Sequence, residues 1–170
     1  QKDINAAGGV LGKDIEITSA DTSDADHADQ NTSSAQSVLA KNPSVVVGPP
    51  SSSVVKNTYK QVTSAKVPMI SSGATSTAFS GLSDYFFRTI PPDTVQGAVL
   101  GQIIAQDGVK NLAIAVFNDE YGTSLRDVVV KTVEDAGVNV VYGEKDTFDP
   151  TETNFSSMVT AIKATNPDAT

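Results

Sequence analysis

Cysteine is absent from these 170 residues. Its absence removes disulfides, thiolate nucleophiles and Cys-type zinc sites together, and it fits the cytosol and the exterior equally. Histidine occurs once, at His27, so His-pair zinc sites and His-dependent catalytic triads have no second partner. Concentrated positive charge is missing too. The net charge is −8 and no window gathers Lys and Arg on one face, which argues against nucleic acid and against an anionic membrane surface. No apolar run approaches the ~20 residues that span a bilayer. An initiator Met and a basic-then-apolar leader are also lacking. The chain opens on "QKDINAAGG", which reads as the last turns of a helix, and "AIKATNPDAT" ends another helix with no strand after it. The expectation is a segment of a longer protein.

What is present is 39% apolar side chain, enough for one ordinary core or two small lobes. Gly8 and Gly9 cap the opening helix and Gly12 closes a turn into "DIEITSAD", an alternating, β-branched stretch that predicts a strand. Asp21, Asp24 and Asp26 precede a helix pattern running to Lys41, as acids do in a first turn. "SVVVG" is short and wholly apolar, the pattern of a strand buried on both faces of a parallel sheet. A helix over about Ser53 to Ala65, the strand "VPMIS" and the strand "YFFRTI" follow. A proline-started helix stopped by Gly108 comes next, then "NLAIAVF", the helix "TSLRDVVVKTVEDAG", "VNVVYGE" and a last helix. Strand and helix alternate throughout, so the fold class is α/β with parallel sheets flanked by helices. The prolines after Ile90 place a boundary between a first lobe, 1–91, and the start of a second, 92–170.

Ligands of open parallel sheets sit at the carboxyl ends of the strands, and "GPPSSS", "SSGATST" and "NDEYGTS" occupy that position. At "GPPSSS" a helix N-terminus presents unpaired N–H groups, and Ser51, Ser52 and Ser53 add hydroxyls beside them. With neither Lys, Arg nor a glycine-rich cradle in the loop, a carboxylate suits it better than a phosphate. The competing account is one serine acting as N-cap and the others solvated. "SSGATST" offers the Thr75 hydroxyl and, at Gly73, a flexible backbone whose carbonyl can face a cation. Donors for a carboxylate next to acceptors for a cation are what an α-amino acid zwitterion requires.

Other constellations are weaker. Ser53 and Lys56 match S-x-x-K, but no S-D-N or K-T-G accompanies them, so Lys56 is read as a solvated helix face and no acylating enzyme is expected. Asp21, Asp24, Asp26, His27 and Asp29 lack the Gly and the bidentate Glu of a calcium loop. "GGVLG" follows a helix and leads into a strand, the reverse of a dinucleotide fingerprint.

"KDINAAGGVLGKDIEI", "VVVGPPSSSVV", "VPMISSGATS", "FFRTIPPDTVQGAVLG" and "IAVFNDEYGTSLRD" resemble, in order and spacing, the branched-chain amino acid (Leu/Ile/Val) binding proteins of ABC importers. The resemblance implies a type I periplasmic-binding-protein fold, two Rossmann-like lobes closing on a small amino acid or related amide, with no cofactor, no metal and no catalysis. It implies an extracytoplasmic location and a permease in the membrane as partner; a ligand-sensing receptor on the same fold is the alternative. By position, Ser52 matches the family's carboxylate binder and the Gly73 carbonyl faces the ammonium. Thr75 touches both ends of the zwitterion, and Tyr121 closes from the second lobe. Gly73, where relatives often carry Ala, is read as harmless. The family's first strand would lie before Gln1, and an acidic ammonium ligand and a second aromatic after Thr170. Without that strand "IEITSA" and "SVVVG" lose their shared neighbour, which points to an altered or homo-oligomeric arrangement.

Overall fold

A computed structural model describes residues 1–170. Two parallel sheets carry the architecture. In the first, β1 (Val46–Val47), β2 (Met69–Ser71) and β3 (Phe86–Arg88) lie side by side in chain order. Met69 stands opposite both Val46 and Phe86, and Ser71 opposite Arg88. The second pairs β4 (Asn111–Ala113) with β5 (Asn139–Tyr142) in parallel.

The helices are α1 (Lys2–Ala6), α2 (Ala28–Leu39), α3 (Ser52–Ser64), α4 (Asp93–Gln106), α5 (Glu120–Asp135) and α6 (Ser156–Ala164). Parallel neighbours need a crossover, and α3 supplies the one between β1 and β2, α5 the one between β4 and β5. The Ser51 hydroxyl caps α3 by accepting from Val54 N at 3.5 Å. Asp119 caps α5 by accepting from Gly122 N at 2.6 Å. Pro92 occupies the N-cap of α4, where its missing N–H costs nothing, and Gly108 follows its C-cap at φ 81°.

Each sheet has its own apolar cluster. Val55 and Val62 of α3 close on Met69, Ala74, Phe79 and Phe86. Val129 and Val133 of α5 close on Leu112 and Val138. At roughly 1.5–3 kcal/mol per fully buried aliphatic or aromatic side chain, these clusters are what hold the crossover helices on their sheets.

Two expectations fail here, for one physical reason. Residues 14–20 form no strand: they run outside any sheet, and Ile15 is held instead by the Asn5 side chain, which accepts from its N–H at 2.9 Å and donates to its carbonyl at 3.0 Å. β1 is not buried on both faces. Val47 is 77% exposed and Val45 42%, because β1 pairs only with β2 and presents an open edge on its other side. "IEITSA" and "SVVVG" therefore do not pair directly. At the far end no strand follows α6, in keeping with its sequence; Ala169 makes an isolated parallel bridge to Leu112, and Asp168 accepts from the N–H groups of Lys110 and Asn111 at 2.9 and 2.8 Å.

Candidate ligand-binding site

The turn between β1 and α3 decides where the serines point. Gly48 sits at φ 101°, which only glycine adopts without strain, and Gly48–Pro49 is cis. The loop is pinned to the neighbouring strand by the Ser71 hydroxyl, which donates to the Pro49 carbonyl at 2.6 Å and accepts from Ala74 N at 3.1 Å. Gly73 lies so close beneath it that an added Cβ would stand 2.8 Å from the Pro50 carbonyl oxygen. A side chain at this position would force the two loops to part.

α3 starts at Ser52, and the three hydroxyls have three different tasks. Ser51 is the cap. Ser52, 2% exposed, accepts from Ser76 N at 3.3 Å and so joins the helix to the "SSGATST" loop. Ser53, 7% exposed, accepts from Glu120 N at 3.1 Å and so reaches α5. The alternative of one cap and two solvated serines is overturned by their burial.

Thr75 lies in the same corner, 4% exposed. Its carbonyl accepts from Asp93 N at 2.8 Å, while its Oγ1 is buried with no hydrogen-bond partner. A buried hydroxyl without a partner is uncommon and represents unused binding capacity. Arg88 ties the loop down from β3, donating to the carbonyls of Ser76 at 2.8 Å and Ala74 at 3.3 Å and to the Ser80 hydroxyl at 2.7 Å. Burial pushes the Arg88 guanidinium below its ordinary pKa, and the charge of Asp93 opposes that shift.

Tyr121 is placed differently. It is 41% exposed, and its hydroxyl accepts from Gln96 Nε2 of α4 at 3.1 Å, so its polar end is engaged between α4 and α5. Lys56 proves to be more than a solvated face: although 63% exposed, its ammonium meets the Glu120 carboxylate at 2.7 Å. Ser71, Ser76, Arg88, Asp93 and Glu120 are the residues that motif reading did not assign. Arg88 and Asp93 were visible in "FFRTIPPD", but only the folded register puts Arg88 opposite Ser71.

The acidic stretch after residue 20 does not bring three carboxylate or imidazole groups together. His27 Nδ1 lies 2.6 Å from an Asp24 carboxylate oxygen, with both side chains exposed, and Asp21 accepts from Ser23 N at 2.8 Å.

These features have counterparts in known proteins. A family model described as "Periplasmic binding protein" matches residues 1–170. The chain belongs to this periplasmic binding protein family. Among its relatives, the leucine-, isoleucine-, valine-, threonine- and alanine-binding protein of Pseudomonas aeruginosa is 33% identical over 163 residues, covering 94% of this chain and 42% of that protein. The crystal structure of the leucine binding protein LivK from Thermotoga maritima superposes with a TM-score of 0.88 at 19% identity, over 97% of this chain and 47% of that one. The branched-chain amino acid transporter substrate binding protein LivJ from Streptococcus pneumoniae, solved with isoleucine, gives 0.81 at 26% identity, over 98% of this chain and 47% of that one. The fold is that of type I periplasmic binding proteins. The chain spans about half the length of the relatives it matches.

Proposed function

We propose that the protein is the solute-binding component of an ABC importer and captures a small branched-chain amino acid without chemical conversion. The observation that carries this reading is the serine corner: the N-terminus of α3 meets the "SSGATST" loop, with Ser52 buried and Thr75 Oγ1 lacking a partner. Helix-end N–H groups and hydroxyls are donors for a carboxylate, and together they stabilise it by hydrogen bonds stronger than those between neutral groups. Ser52 and Thr75 hold the carboxylate in this reading, with Ser51 and Ser53 shaping the helix end, and the Gly73 carbonyl accepts from the ammonium. The lobes are 1–91 and 92–170, and their approach brings Tyr121 across the cleft to exclude water. The Pseudomonas relative, named for leucine, isoleucine, valine, threonine and alanine, and the Streptococcus relative, solved with isoleucine, support an aliphatic amino acid. Capture then takes place outside the cytoplasm, and delivery is to a membrane permease.

Calorimetry on the full-length protein with leucine, isoleucine and valine tests the reading. Ser52→Ala and Thr75→Ala are each expected to weaken binding by about 1.5–3 kcal/mol, the range for hydrogen bonds to a charged group. Unchanged affinity in both variants would sink the assignment.

A further inference from the structure

The beginning of α5 approaches the beginning of α3, and such an approach is electrostatically unfavourable. Each helix N-terminus carries a partial positive charge, and Lys56 one turn into α3 adds a full one. Glu120, the first residue of α5, stands among these charges. Its N–H donates to Ser53 Oγ at 3.1 Å, Oε1 accepts from Ser76 Oγ at 2.7 Å, and Oε2 accepts from Lys56 Nζ at 2.7 Å. The Glu120 side chain is 15% exposed, so its partners act with less screening than on an open surface. Beside it, Thr77 N donates to Ser124 Oγ at 3.0 Å. Glu120 thus joins α5 both to α3 and to the loop that carries Thr75.

We propose that Glu120 is a latch between the lobes, a positioning residue that stabilises the closed arrangement and slows ligand escape without touching the ligand. The proposal rests on the capture reading above, since a latch matters to affinity only if the ligand sits between the lobes. Population shift supplies the mechanism: an interaction present only in the closed state raises the closed fraction, and affinity rises with the fraction that is competent to hold ligand. Lys56 shares the task from the first lobe. Glu120→Gln retains a carbonyl oxygen for Ser76 but loses the charge facing Lys56 and both helix ends, so its effect is intermediate.

The test uses the full-length protein with spin labels on Lys60→Cys and Asp107→Cys, one exposed position on each side, which the lack of native cysteine in these 170 residues makes practicable. Interlobe distances are measured by pulsed electron spin resonance without ligand and with leucine, and leucine dissociation is followed by stopped flow. Glu120→Ala is expected to broaden the ligand-free distances toward longer values and to accelerate dissociation by roughly tenfold or more, with association little changed. Lys56→Ala, whose side chain is largely exposed and whose loss leaves the cores intact, is expected to act in the same direction and to be non-additive with Glu120→Ala. Identical distance distributions in parent and both variants overturn the latch, as do identical dissociation rates. Failure of the parent to bind leucine would strike the capture reading instead, and the ligand-free distances would still decide the latch.

Discussion

Ser51, Ser52 and Ser53 are indistinguishable by local chemistry, since each is a hydroxyl at a helix start. Family spacing singles out Ser52; what separates all three is which neighbour each meets, a property of the tertiary fold. Sequence also sees His27 only as one residue of an acidic stretch. In the structure its hydrogen bond with Asp24 raises the imidazole pKa and lowers that of the carboxyl. The signs follow from linkage. The imidazolium contribution is fully present below the ordinary histidine pKa of about 6.5 and fades as pH rises through the raised value. The carboxylate contribution is present above the ordinary aspartate pKa and fades as pH falls through the lowered one. An NMR titration is expected to place His27 above the ordinary imidazole value, and Asp24→Asn to return it there.

Elements were legible in so far as their signals are local. The helices announce themselves by caps and stops, and α3, α4 and α5 fall where the pattern sets them to within a few residues. The segment at 14–20 has every local mark of a strand and is not one, because strand formation needs a neighbour and β propensity cannot supply it. Packing between α4 and α5 was not legible at all. Gly97 and Gly101 lie one turn apart on α4, and an added Cβ at either would stand 2.7 Å from the Cβ of Val128 or Thr132 on α5. In an isolated helix, Gly→Ala stabilises by about 1 kcal/mol. Here the sign is expected to reverse: Gly97→Ala should lower unfolding free energy by about 1–3 kcal/mol through overpacking, measured by urea denaturation of the full-length protein.

At the scale of the molecule, the α/β architecture and the serine corner were readable because alternation and loop chemistry repeat along the chain. The open edge was foreseen only as a missing neighbour, pointing to an altered or homo-oligomeric arrangement. In the structure Val45, Val47 and Ile17 are exposed apolar side chains, and a bare strand edge is a template for pairing. The 170-residue chain on its own is expected to self-associate in light scattering, and Val47→Lys to suppress that association; a monomer at all concentrations would refute it. The serine turn has a consequence of another kind. Successive helix positions point about 100° apart, so three adjacent hydroxyls serve the helix itself, the neighbouring loop and α5 from a single turn. A point substitution there releases one joint. One residue added to the loop before Ser51 would swing all three hydroxyls off their partners together, so this stretch is far more sensitive to a change of length than to a change of any one letter.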